Sequence, residues 1–485
     1  MHDMAKRRMS TFERLNSGRM NRAQRRELGR RVAAGDPGLT IVHPNAGGID
    51  VGNESHFVAV PADRDENPVR EFGCWTAALN NMAEWLKSCR IDTVAMQATG
   101  VYWIALYDVL QQHGIRVVLV NARHTRNVPG RKTDVQECQW LMKLHTYGLM
   151  RDSFHLQQDM EYVRTIWRVR DRHVKEAAEA VQHMQKALTR MNVQLANAIS
   201  DISGVSGQTI IAAILQGERD AYKLAELADY RIKASREEVA RSLEGNWRAD
   251  VLFELQQAVN SHQFAHRQMR ECDEKLTLYL TSLPTRMLDI PDQSQGAPLS
   301  AAQKRKKAQK PRGNEPRMDT KEELKRICGV DLTSIDGVNV MTAFTVISEV
   351  GVDLSGFKDE DHFTSWMGLA PSKDMSGGQI VGPGKKKVKN RVAVVLRTAA
   401  TSLLHSDTHL GARYRHLRRQ LPTFKAAVKA MARHLAVLIY RLLTHGEAWV
   451  DQGAAQFERK RVERELASLH TKAKAQGLTL VPIKA

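Results

Sequence analysis

The chain has 485 residues, enough for two to four domains with substantial apolar cores. Hydrophobic residues make up 42% and charged residues 26%, which excludes a globally disordered chain. No apolar run approaches the roughly 18–20 residues of a bilayer span, which excludes a transmembrane helix. Lys and Arg outnumber Asp and Glu by 72 to 54, a net charge of +18. So basic a chain points to a polyanionic partner, nucleic acid first, against the alternative of a merely basic surface.

Residues 1–45 form a basic N-terminal arm with local helix. Its opening "MHDMAKRRMSTFERLNSGRMNRAQRRELGRR" lacks the apolar stretch of a secretory signal, and its acidic residues argue against a mitochondrial presequence. A cytoplasmic protein is expected. Five scattered cysteines (Cys74, Cys89, Cys138, Cys272, Cys328) contain no CxxC pair, so they read as reduced thiols used as small apolar residues.

Over 46–153 the pattern predicts antiparallel strands at "GGIDVG", "HFVAVPAD" and "VREFGCW", then alternating helices and strands. These are a helix at "TAALNNMAEWLKSC", a strand at "DTVAM", a helix over 101–113, a strand over 115–120 and a helix over 132–147. Antiparallel strands followed by this alternation imply an α/β sheet covered on both faces, of the RNase H/RuvC-like kind. Residues 154–286 are nearly all helix-compatible, with an apolar repeat near 3.5 residues, and predict an elongated helical hairpin or coiled coil for spacing or dimerisation. Residues 287–319 read as a basic linker rich in Pro, Gly, Ser, Gln and Lys. Residues 320–450 form a second, mainly α unit, and 451–485 a charged helical tail.

Candidate chemistry begins with Asp50 in the opening strand and Gln97, an amide where "TVAMQ" ends. Asp134 and Glu137 in "KTDVQECQW" lie at i and i+3, on one helical face, as carboxylates that share metal ions must; an exposed helix face is the alternative. "SIDGVNVMTAFTVISEVG" (334–351) reads as helix, Gly turn and helix, like a phosphate-binding helix-hairpin-helix or an ordinary αα-corner. "MGLAPSKDMSGGQIVGPGKKKVKNR" sets serines beside glycines and a basic run. Such a loop suits a nucleophile attacking a phosphodiester, with Lys385, Lys386, Lys387, Lys389 and Arg391 balancing phosphate charge. The alternative is a phosphate-binding Gly loop without a nucleophile. Downstream, Arg415, Arg418 and Arg419, with Arg413, Lys425, Lys429 and Arg433, make a basic helical stretch suited to duplex or structured RNA, or else a solvated face.

Taken together, "GIDVGNESHFVAV", "VAMQATGVYW", "VLVNARHTRNVPGRKTDVQECQWLMKLHTYGLM" and "GVDLTSIDGVNVMTAFTVISEVG…FTSWMGLAPSKDMSGG" resemble the DEDD-type insertion-sequence transposases of family one-ten, motif by motif over roughly 46–450. The resemblance implies a RuvC-like domain, a coiled coil and a C-terminal transposase domain with a helix-hairpin-helix. It maps an acidic tetrad onto Asp50, Gln97, Asp134 and Glu137, with Gln97 standing where the family has Glu and Glu137 where it has Asp. Asp50, Asp134 and Glu137 would hold Mg²⁺, as a two-metal site in which Gln97 weakens one position. The nucleophile falls on Ser376, with Ser372 as the runner-up.

What the resemblance implies functionally is a transposase guided by a bridge RNA, cutting and rejoining double-stranded donor and target DNA through a phosphoserine intermediate. A homo-oligomer, dimer to tetramer, a bacterial nucleoid-associated location and no membrane partner follow from it. Gln97 keeps two other readings open: a non-catalytic nucleic-acid-binding protein with a degenerate RuvC-like domain, and a metal-dependent junction nuclease.

Overall fold

Alternating burial along short β-branched segments is what orders the first part of the chain, and the computed structural model shows the result. The structure describes residues 22–33, 38–98, 100–120, 133–150, 152, 154–287, 315–316, 319–371, 373–376, 379–383, 390–446 and 454–479. The chain divides into two compact units, Met1–His155 and Leu156–Ala485.

In the first unit, helix α1 (Arg22–Ala33) precedes strands β1 (Ala46–Val51), β2 (Ser55–Ala59) and β3 (Val69–Gly73). Helix α2 (Thr76–Ser88), strand β4 (Thr93–Gln97), helix α3 (Trp103–Gln112), strand β5 (Arg116–Val120) and helix α4 (Asp134–Thr146) follow. The sheet order is β3-β2-β1-β4-β5, antiparallel across β1, β2 and β3 and parallel across β1, β4 and β5. This mixed five-stranded sheet with helices on both faces is the RNase H-like arrangement expected from the sequence.

The period of two along each strand sorts the side chains. Ile49, Val51, Val94, Met96, Val117 and Leu119 meet Leu79, Met82 and Leu86 of α2 and Leu106 and Leu110 of α3 in one core. The opposite face carries Gly48, Asp50, Gln97, Val118 and Val120, and α4 lies over it, with Leu141 packed on Val118 and Val120. Helix α4 starts where Thr133 Oγ1 accepts the Gln136 amide at 3.3 Å. It carries Asp134 and Glu137 in its first turn and Lys143 in its last, matching the helix dipole at both ends. On its outer side Trp140 packs with Val32 of α1 and Leu149.

Gly48 sets how close α4 comes. A Cβ there would lie 2.2 Å from the Cys138 carbonyl oxygen and 2.3 Å from the Met142 amide nitrogen, so only a residue without a side chain lets helix and strand backbones touch. At the far end of α4, buried His145 holds Thr93 Oγ1 at 2.9 Å through Nε2 and faces the His43 ring.

In the second unit, α5 (Gln158–Arg190) and α10 (Ala249–Ser282) bracket the short helices α6 (Leu195–Ala198), α7 (Val205–Leu215), α8 (Ala221–Glu226) and α9 (Arg236–Ser242). Tyr279 pairs with Asp159, Asp273 with Arg170 and Glu254 with Arg190, so α5 and α10 run antiparallel. Their buried positions step by threes and fours: Met160, Val163, Trp167, Arg170 on one helix, and Val251, Leu255, Ala258, His262, Ala265, Met269 on the other. The short helices close a separate core around Leu195, Ile210, Ile214, Leu224 and Val239, packed on the far end of this hairpin with Met184 and Leu255. That stretch is helical as expected, but folded back on itself by caps such as Asp220 and the Ser235–Glu238 capping box.

Inside the apolar seam Arg170 and Asp273 form a two-pronged ion pair, at 2.5 and 3.3 Å, with both side chains almost fully buried. The Arg170 guanidinium also lies over Trp167, 5.5 Å from the ring centre. Removing one member would strand a buried charge, so the pair fixes which residues face each other along the seam.

The remaining elements are α11 (Thr320–Cys328), α12 (Val340–Val350), α13 (Glu360–Trp366), the two-stranded ribbon β6 (Lys373–Ser376) and β7 (Gln379–Pro383), then α14 (Arg391–Ser402), α15 (His409–Gln420), α16 (Phe424–His445) and α17 (Ala454–Ala475). Trp167 ties α5 to α12, stacked on Phe344 at 4.1 Å and donating to Thr345 Oγ1 at 3.1 Å. In the 334–351 stretch the piece before the Gly turn is a single 3-10 turn (Leu332–Ser334). Gly337 then turns the chain at φ +86°, and Asn339 caps α12 by accepting the Thr342 amide at 2.8 Å. The expected linker lies mostly outside the described residues. All five cysteines are free, and among the described residues no helix is long and apolar enough to cross a membrane.

Gly48→Ala is expected to lower stability by about 3 kcal/mol or more, because the added methyl overlaps two backbone atoms; chemical denaturation reads this directly. Burial, helped by the positive His43 and Arg116, holds the His145 pKa down at about 4. The folded state therefore refuses a proton that the unfolded chain accepts below about 6.5. The resulting stability is complete above that value and is lost as pH falls toward 4. A His145→Gln variant should flatten this part of the pH–stability curve.

Candidate active site

The candidate site is built where β1 and β4 end beneath the first turn of α4. Ile49 pairs with Met96 and Gln97 with Val120, so Asp50 and Gln97 take adjacent positions on the same face of neighbouring strands. The face is the one that α4 covers. The helix brings Asp134, exposed, and Glu137, half-buried, to the same end.

Gln97 is buried, and its Nε2 donates to Glu137 Oε1 at 2.9 Å. The amide thus supplies a hydrogen to a carboxylate that a second carboxylate would repel. This contact joins two of the four expected residues. The other two share an effect on Cys138, one turn into α4: its thiol is pushed up to about 12, first by burial and further by the negative charges of Asp50 and Asp134. Cys138 is therefore a neutral thiol at the floor of an acidic cluster, its Sγ–H donating to the Val135 carbonyl at 3.1 Å. Neither Cys138 nor Gly48 stands out as functional in the sequence. The glycine signal was a Gly inside a strand, which marks close backbone approach.

Hard carboxylate oxygens are the right donor type for Mg²⁺. Among the described residues, however, no three His, Cys, Asp or Glu side chains sit close enough together to hold a metal ion. With Glu137 Oε1 bonded to Gln97, the three carboxylates would have to draw together to share an ion.

The second expected site is only partly within the described residues. Ser376 is the last residue of β6 and pairs with Gln379 across the ribbon, which carries a register shift at Asp374 and Met375. Ser372, Lys385, Lys386, Lys387 and Lys389 lie outside the described residues. Arg391 opens α14 and donates to Asp171 Oδ2 at 2.9 Å, with Glu349 Oε1 at 3.9 Å. Glu349, buried on α12, also takes both prongs of Arg168, at 2.8 and 2.6 Å.

On α15, Arg415 donates to the Leu404 and Ser406 carbonyls at 3.2 and 2.6 Å. Arg418 lies over the Phe424 ring, and Arg419 sits 3.8 Å from Glu458 of α17. Arg391, Arg418 and Arg419 are exposed and Arg415 is half-buried.

Residues 47–193 match the family model of DEDD-type IS110 transposases, from β1 through the end of α5. Residues 330–415 match the model of the IS116/IS110/IS902 transposase family, from before α12 into α15. No curated protein matches the chain.

Gln97→Glu replaces the amide donor by a second carboxylate beside Glu137. It should make Mg²⁺ binding tighter than in the unaltered protein, read by calorimetric titration. Unchanged affinity would place Gln97 outside the metal shell.

Proposed function

A chain built from both parts of an IS110-type transposase is a DNA transposase, and from that premise we propose that it cuts and rejoins donor and target DNA under the direction of a bridge RNA. The observation that supports the catalytic part is the sheet face of Asp50 and Gln97, over which α4 carries Asp134 and Glu137, with Gln97 bonded to Glu137. The net charge of +18 supports a polyanionic substrate.

In this reading Ser376 attacks the scissile phosphate. The bond from Oγ to phosphorus forms as the bond to the leaving deoxyribose oxygen breaks, and that oxygen takes up the proton. The phosphoserine ester keeps the energy of the broken bond, so a hydroxyl of a second DNA can displace the serine without another energy source. Ser376 stands at the end of a strand, beside Gly377 and Gly378 in sequence, where a phosphodiester backbone can come close. The basic run Lys385, Lys386, Lys387 and Lys389 would balance phosphate charge, and exposed Arg418 and Arg419 are the candidates for contact with nucleic acid.

A divalent cation, Mg²⁺ by the resemblance, would have Asp50, Asp134 and Glu137 as its ligands. The steps of threes and fours along α5 and α10 support a coiled coil, and the Gly337 turn before α12 supports a helix-hairpin-helix against phosphate backbone. A homo-oligomer, dimer to tetramer, would bring the two sites of different copies together.

The deciding experiment supplies donor DNA, target DNA, candidate bridge RNA and Mg²⁺ and looks for a covalent protein–DNA adduct. The expected result is an adduct that Ser376→Ala abolishes; persistence in that variant moves the nucleophile elsewhere, with Ser372 next. Binding of both nucleic acids without cleavage would favour the non-catalytic reading, and cleaved ends without adduct a junction nuclease.

A further inference from the structure

The second unit holds a pair of histidines that the acidic site and the serine do not use. His262 and His266 lie one turn apart on α10, their Nε2 atoms 3.1 Å from each other and their rings tilted with centres 4.4 Å apart. We propose that these two nitrogens chelate a divalent transition-metal ion of the zinc class, seated where α10 meets the short-helix core.

The geometry supports this in three ways. Two imidazole nitrogens each bound at about 2.0–2.1 Å to one tetrahedral ion stand roughly 3.3 Å apart, close to the separation already present. The site therefore needs little rearrangement to accept the ion. Second, His262 is buried and His266 half-buried, so an ion between them would be partly shielded from competing water.

Third, the surroundings favour a cation. The negative charge of Asp201 lies near enough to act on His262. Its Oδ1 is fixed by Ser203, through the backbone amide at 2.8 Å and the hydroxyl at 2.6 Å. Gln208 of α7 meets the other nitrogen of His262, Nδ1, at 3.4 Å through its amide. A half-turn of that amide presents Oε1, which accepts from Nδ1–H and fixes the tautomer whose Nε2 lone pair faces the ion. The proton between the two Nε2 atoms then moves to Nδ1, and the histidine pair stays neutral overall. Water would complete the coordination, since no third His, Cys, Asp or Glu closes on the pair among the described residues. The expected effect of the ion is to staple one turn of α10, since both ligands lie on that helix, and to hold His262 against Gln208 of α7.

The test uses the full chain and Zn²⁺ alone, with Mg²⁺ as the comparison ion. Titration should show one equivalent of Zn²⁺ that His266→Gln weakens at least tenfold and that His262→Gln/His266→Gln removes. Gln208→Leu should weaken it roughly 10–100-fold, as loss of an outer-shell partner does. His266 is only half-buried, so its variant is the one least exposed to folding defects, and circular dichroism checks that α10 is retained. Zn²⁺ should also raise the melting temperature of the unaltered protein and not that of the double variant. Two results would overturn the proposal: equal Zn²⁺ stoichiometry in the folded double variant, or Mg²⁺ displacing the ion at comparable concentration.

Discussion

Everything at the acidic end of the sheet depends on one backbone contact, the seating of α4 on β1 at Gly48. The helix crosses the strand with main-chain atoms where a methyl group would collide. That closeness brings the first turn of α4 over the face holding Asp50 and Gln97. Leu141 on Val118 and Val120, and His145 on Thr93, then fix the helix along its length. The carboxylates themselves contribute little to the seating. Asp134 and Glu137 lie beyond the packed residues, in the first turn of the helix.

The second unit is organised by a different device. A long apolar seam between two helices permits sliding, since one apolar layer resembles the next. The Arg170–Asp273 pair singles out one alignment, because any slip leaves both charges buried without partners. From that fixed seam, Trp167 and Arg168 reach α12, and Arg391 at the start of α14 joins Glu349 and Asp171. Helices α12 and α14 and the hairpin are in this way knit by charge pairs as well as by apolar contact.

Most of the first unit was legible in the sequence because its strands are short β-branched runs and its helices show the 3.6-residue period. The helix expected over 132–147 spans Asp134–Thr146, and the strand expected over 115–120 spans Arg116–Val120. Asp50 and Gln97 were recognisable as strand-end polar residues. The contact from Gln97 to Glu137, across 40 residues, was not, since it needs strand register and the Gly48 approach together. In 154–286, helix-compatible composition concealed the fold-back of α6–α9, because composition does not say where a helix stops; the caps at Asp220 and Ser235 were the available signals. The basic stretches were legible as charge, whereas the intramolecular contacts of Arg391 and Arg415 were not. Arg391 and Arg415 sit in runs that look solvated, yet one meets carboxylates and the other backbone carbonyls, and such partners lie far away in sequence or carry no side-chain signal.

The seating of α4 also bears on when the acidic end can exist at all. As the chain leaves the ribosome, β1, β2 and β3 can pair with near neighbours, and β4 and β5 can add in turn. The face holding Asp50 and Gln97 stays uncovered until the segment ending at Thr146 has emerged and closed the longest loop in this unit's sheet-to-helix packing. Helix α4 is therefore both the last element of the sheet domain to dock and the carrier of two of its four acidic-site residues. A nascent or truncated chain that stops short of it has the sheet but lacks Asp134 and Glu137, so the candidate site is complete only once the domain is.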